Sequence, residues 1–179
     1  TRTRALGAIP LKSAPASSLS EEEAIALVAD HLTARGLGDL GWGKEASSLR
    51  ERMRVLHEVL GDPWPDVSDE ALAGSAPQWL APWAKRLARG GSLSNVSMLD
   101  ALRSMLPWPD AARLDELAPE KMPIPAGGTR PIDWSGAHPV LTLRVQQAFG
   151  WTDTPRLVDG RVPLVLHLTD PAGRPAAVT

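Results

Sequence analysis

The sequence predicts an α+β fold, with a helical N-terminal two-thirds followed by a small, mostly antiparallel sheet or partial barrel. Three observations predict it. Up to residue 118, apolar residues recur at helical spacing between capping and breaking residues. After Pro119 that period stops, and short apolar runs alternate with Pro- and Gly-rich turns. The clearest run, residues 162–168, lies between Asp159-Gly160 and Asp170-Pro171-Ala172-Gly173, the setting of a buried strand between tight turns. The organisation that follows is a connector over 1–19, a helical region over 20–118 and a β-rich region over 119–179.

Residues 10–18 are Pro/Ala/Ser-rich and read as connector. Ser20-Glu21-Glu22-Glu23 then forms a capping box, and its three acids suit the positive end of a helix dipole. Ile25, Val28, Ala29 and Leu32 follow at helical spacing, and Gly36 ends the element. A second helix spans 44–60, with Leu49, Met53, Leu56, Val59 and Leu60 inward; Arg50 and Arg54 share a face and read as solvated charges. Pro63-Trp64-Pro65-Asp66 closes it, and Pro107-Trp108-Pro109-Asp110 closes a later one. In each, the first proline cannot continue a helix, the Trp before the second is pushed to extended geometry, and the second suits the next helix's first turn. Short helices should follow, ending near Ala73 and Leu117. Between them, 77–87 places Trp79, Leu80, Trp83 and Leu87 on one helical face, Gly90-Gly91 breaks it, and 94–106 turns Leu99, Leu102 and Leu106 inward. Strands are expected at 130–134, 139–143, 155–158, 162–168 and 175–178, with turns at Ser135-Gly136 and Asp159-Gly160 and one helical turn at 145–149. Pro131, Pro139 and Pro163 mark edges or bulges.

Composition narrows the function classes. With 179 residues, 43% hydrophobic and 22% charged, the chain can bury a core and is not of disordered composition. Zero Cys removes disulfides and thiolate metal sites and fits a reducing cytoplasm. No apolar run approaches the ~20 residues that span a bilayer, so no membrane partner is expected. A net charge of −2 supplies no global attraction to nucleic acid, so any such contact needs a local patch. His31, His57, His138 and His167 stand apart from one another and from ligand-spaced carboxylates, and no nucleophile–base pair is visible. No metal or catalytic residue is assigned.

Four strings occur in order: Leu114-Asp115-Glu116-Leu117-Ala118-Pro119-Glu120, Met122-Pro123-Ile124-Pro125-Ala126-Gly127, Val145-Gln146-Gln147-Ala148-Phe149-Gly150, and the stretch from Gly160 to Pro175. Their order and spacing resemble the C-terminal region of the HrpB family of bacterial ATP-dependent DExH-box helicases. The likeness extends more loosely upstream through Trp79-Leu80 and Trp64-Pro65 to Gly36-Leu37, and even to 6–9. Trp134 and Trp151 depart from the family's residue types. The resemblance implies a piece of a longer polypeptide, with 1–19 leading from an upstream domain. It implies the helicase motor as same-chain partner, single-stranded RNA as a contact, and ATP and Mg²⁺ as ligands of the whole protein rather than of this region. The residues agree on that last point. There is no Gly-Lys-Ser/Thr phosphate loop, since Lys44 is followed by Glu45 and Gly127-Gly128-Thr129 has no Lys, and no Asp-Glu-x-His box occurs.

Two readings follow. In one, the region is a non-catalytic accessory part that packs on the motor domains and contacts RNA. Arg130, Arg144, Arg156, Arg161 and Arg174 are then the basic set that can gather on one surface, and Trp134 and Trp151 the aromatics on which bases stack. In the other, it is a structural or protein-docking module that does not touch nucleic acid; Arg161 then pairs with Asp159 or Asp133, and the remaining arginines scatter on a sheet rim.

Overall fold

The computed structural model describes residues 19–172 and 174–178; the connector expected at 10–18 lies outside them. The chain is α+β and divides into two interleaved units. Among the described residues, the first holds those up to 50 and 66–106, the second 51–65 and those from 107 onward. The boundary therefore does not follow the linear order of helices and strands.

In the first unit, α1 (Glu21–Arg35) begins at the capping box: Ser20 Oγ accepts from the Glu23 amide, and the Glu23 carboxylate accepts from the Ser20 amide, both at 3.1 Å. It ends where Gly36, at φ 85°, donates to the Leu32 carbonyl. Its buried stripe is Ala24, Val28 and Leu32, so Ile25 and Ala29 lie at its flank rather than its centre. Residues 44–50 of α2 (Lys44–Leu60) also belong here. Arg50 is no solvated charge: its guanidinium sits over the Trp42 ring, donates to the Val67 carbonyl at 2.8 Å and pairs with Asp69 at 2.6 Å.

The first proline cluster hands over to α3 (Asp69–Gly74) later than expected. Ser68, not Pro65-Asp66, caps it. The single helix expected over 77–87 is three pieces, namely α4 (Ala76–Trp79), a 3-10 turn at Ala81–Trp83 and α5 (Ala84–Ala88). Pro77 and Pro82 each sit in a first turn, where the missing N–H costs nothing, and so restart the helix rather than extend it. Trp79, Leu80 and Leu87 are buried and Trp83 is half-buried. The last helix of this unit, α6 (Met98–Ser104), is capped by Ser97 and buries Met98, Ala101 and Leu102; Leu99 and Leu106 are only half-buried. Gly41 makes a parallel bridge beside it, donating to Val96 O at 2.9 Å and accepting from Met98 N at 3.1 Å.

The second unit starts with residues 51–60 of α2. Trp64 is buried, and its carbonyl accepts from His57 Nδ1 at 2.8 Å. Trp108, the matching Trp of the second proline cluster, is 69% exposed, against the packing its position suggests. A 3-10 turn at Asp110–Arg113 leads into α7 (Leu114–Leu117). The strands are β1 (Lys121–Pro123), β2 (Thr129–Pro131), β3 (Val140–Arg144), β4 (Arg156–Leu157), β5 (Val162–Pro163), β6 (Val165–Thr169) and β7 (Pro175–Val178).

Two hairpins, β1–β2 and β4–β5, accompany a three-stranded sheet in the order β3-β6-β7. That sheet is mixed: β3 runs parallel to β6, Val140 opposite Val165, and β7 antiparallel with a register shift at Leu168/Thr169. The barrel alternative is not realised among the described residues. The apolar run 162–168 is two strands, because Pro163 pairs with Arg156 in the hairpin while Leu164 turns into the sheet. Strand β1 falls in a Pro-rich stretch that carries no strand pattern. Leu141, Leu143, Leu164 and Leu166 are buried in the sheet region, together with Val158, which holds φ 53° while donating to Leu117 O.

Candidate nucleic-acid interface

All five sequence-selected arginines are exposed and lie in the second unit. Arg144 ends β3 opposite Thr169, which in turn faces Pro175, so Arg144 and Arg174 share one end of the three-stranded sheet, two strands apart. Arg174 is tied to Asp170 at 3.0 Å. Arg156 and Arg161 flank the β4–β5 turn, where Arg156 Nε donates to Gly160 O at 2.7 Å. Arg130 stands on the β1–β2 hairpin opposite Met122.

The carboxylates offered to Arg161 are taken by others. Asp159 pairs with Arg113 at 2.7 Å, and Asp133 accepts from the Ser135 hydroxyl at 2.6 Å and the Ser135 amide at 2.9 Å. Among the described residues, Arg130, Arg144 and Arg161 have no ion-pair partner. The Asp133 carboxyl is held below the ordinary aspartate value, first by the Ser135 hydroxyl and then by its backbone N–H. The Arg113 guanidinium, between Asp159 and Glu116, is held more firmly protonated than usual.

The aromatic pair divides. Trp134 is 3% exposed, and its indole donates to Pro119 O at 2.8 Å, so it presents no free face for stacking and drops out of the candidate set. Trp151 is half-buried, two residues after the exposed Phe149, and retains part of its surface. No three His, Cys, Asp or Glu side chains gather for a metal among the described residues, and His31 pairs with Asp39.

A second basic surface escapes the sequence pattern described above. In the first unit, an open depression of about 600 Å³ is lined by Trp83, Lys85, Arg86, Arg89 and Gly90-Gly91. The sequence does carry a signal for it: residues 71–99 contain those three cations and no Asp or Glu.

Comparison with known proteins bears on the family of the chain. The family model described as ATP-dependent helicase C-terminal, of the HrpB type, matches residues 79–179. The ATP-dependent RNA helicase HrpB of Escherichia coli K12 is 33% identical over 176 residues, covering 97% of this chain and 22% of that protein. A crystal structure of the E. coli DExH-box NTPase HrpB superposes with a TM-score of 0.76 at 33% identity, over 92% of this chain and 21% of that one. A second, of the E. coli DEAH/RHA helicase HrpB, gives 0.73 at 32% identity over 91% and 21%. The chain thus spans about a fifth of the length of the relatives it matches.

Proposed function

The chain belongs to the HrpB family of ATP-dependent helicase C-terminal regions, and from that premise we infer that it is a non-catalytic accessory region. On this reading it packs on the motor domains of a cytoplasmic helicase and contacts single-stranded RNA. The observation that carries the RNA part is the exposure of Arg130, Arg144 and Arg161 without ion-pair partners among the described residues, while Arg50, Arg52, Arg54 and Arg113 are all engaged. Unpaired guanidinium groups on strand ends and hairpins position a phosphate backbone without reading its sequence. We assign ATP and Mg²⁺ to the rest of the protein rather than to this chain. It has no Gly-Lys-Ser/Thr loop, and its described carboxylates do not gather as a ligand set. No step of the reaction is therefore assigned to it.

Titration of fluorescent single-stranded RNA into the chain over a range of salt tests the reading. Three phosphate contacts correspond to a log–log salt slope of about −2. Arg144→Ala with Arg161→Ala should weaken binding and flatten the slope. Absence of binding at ~50 mM salt refutes RNA contact. It leaves the docking reading, which Trp108 and Phe149 favour: they are 69% and 67% exposed, and large apolar groups at a surface suit a protein partner.

A further inference from the structure

We propose that the depression beside α5 is a subsite for single-stranded nucleic acid, in which one base stacks on Trp83 and the adjoining phosphates meet Lys85, Arg86 and Arg89. The proposal rests on the reading that this chain contacts RNA and adds a location in the first unit, remote in sequence from the five arginines.

Charge is the first argument. The 29 residues from 71 to 99 carry three cations and no carboxylate, and none of the three has an ion-pair partner among the described residues. Three cations unpaired among the described residues and lining one depression, in a chain of net charge −2, favour an anion there. Geometry is the second. Lys85 and Arg86 lie in α5, Arg89 caps its C-terminus, and all three line the one depression. Trp83, one turn before Arg86, lines the same depression and is half-buried, which fixes the ring while leaving surface for a flat partner.

The cradle is also built. Gly91 donates to Arg86 O at 2.9 Å, and a Cβ at Gly91 would lie 2.7 Å from Arg86 Cγ and 2.8 Å from Arg86 O, so a side chain at 91 would press on Arg86 where both line the depression. The volume of about 600 Å³ falls within the roughly 300–1,000 Å³ of small-ligand sites. Three cations around an indole fit phosphates flanking an aromatic base. An acidic peptide would use the cations and leave the ring idle.

The test is binding of fluorescent oligouridylate to the whole chain, with Lys85→Ala/Arg89→Ala and Trp83→Phe, Trp83→Ala variants. The Lys85/Arg89 pair is the decisive variant, because both side chains are exposed, whereas removing a half-buried Trp can disturb folding. Loss of two phosphate contacts should shrink the salt slope by about 1.4. Trp83→Ala should weaken binding roughly 5- to 150-fold, the range of base–aromatic stacking, with Trp83→Phe retaining most of it. If the oligonucleotide binds and the pair variant keeps the parental slope while Arg144→Ala/Arg161→Ala loses it, this subsite is refuted and the broader reading stands. If the parent chain binds no oligonucleotide, both fall. Polyglutamate binding as tightly as oligouridylate, unaffected by Trp83→Phe and Trp83→Ala, would also overturn the proposal in favour of an acidic protein partner.

Discussion

Arg52 is a buried charge, 3% exposed, that donates from Nε to Ala118 O at 2.6 Å and pairs with Asp115 at 2.6 Å and Glu120 at 3.1 Å. Its partners differ from it: Asp115 is 89% and Glu120 57% exposed, so water can replace the guanidinium for them but not for the buried carbonyl. Arg52→Ala should therefore cost about 2–3 kcal/mol, in line with hydrogen bonds to charged groups, and Asp115→Asn under ~1 kcal/mol, both read from urea unfolding. Equal costs would contradict this division. Asp133 supplies a pH dependence. Its folded carboxyl titrates below the ~3.9 of an unfolded aspartate, so its contribution is complete above that value and fades as pH falls through the lower folded one. Ser135→Ala should move the Asp133 midpoint upward by carboxyl ¹³C NMR. These roles were invisible in local pattern. Arg54 reads as a solvated helix charge, yet it donates to the carbonyls of Trp134 and Gly136, about eighty positions away. A helical period reports which face is polar and says nothing of what distant backbone that face meets.

Among the elements, close backbone approach decides more than propensity. A Cβ on Gly41 would sit 2.5 Å from Val96 O and 2.7 Å from Ser94 O, whereas one on Gly38 meets nothing within 4 Å. Gly41→Ala should then cost about 1–3 kcal/mol as an overpacking change and Gly38→Ala about 0.5 kcal/mol or less; comparing their urea midpoints checks the contrast. Signals confined to one turn of chain were readable. The Ser20 capping box and the Asp159-Gly160 turn stand where expected, the latter with φ 55° and 77° at its two residues. Signals that depend on where a proline falls within an element were not. Pro82 splits one expected helix, and Pro163 ends β5 one residue before the sheet. The apolar content around both prolines was right, but hydrophobic spacing cannot tell a continuous element from two abutting ones.

For the whole chain, the interleaved units explain why composition located the β-rich end but not the unit boundary: α2 is one uninterrupted helix whose residues divide at 50/51. No Pro or Gly marks that point. The purified chain should release phosphate from ATP no faster than buffer, with or without RNA; sustained turnover would contradict the accessory reading. Basic residues slightly outnumber acidic ones in the β-rich end, which makes its arginines conspicuous, whereas the acid-free stretch 71–99 is masked by the net negative charge of the region around it. Among the described residues, strand β7 pairs only with β6, and all four of its residues are exposed. Among the described residues its far side is an edge of main-chain donors and acceptors, the kind of edge to which an extended segment can add. Pro175, which lacks an N–H, offers such an added strand no donor at one end of that edge.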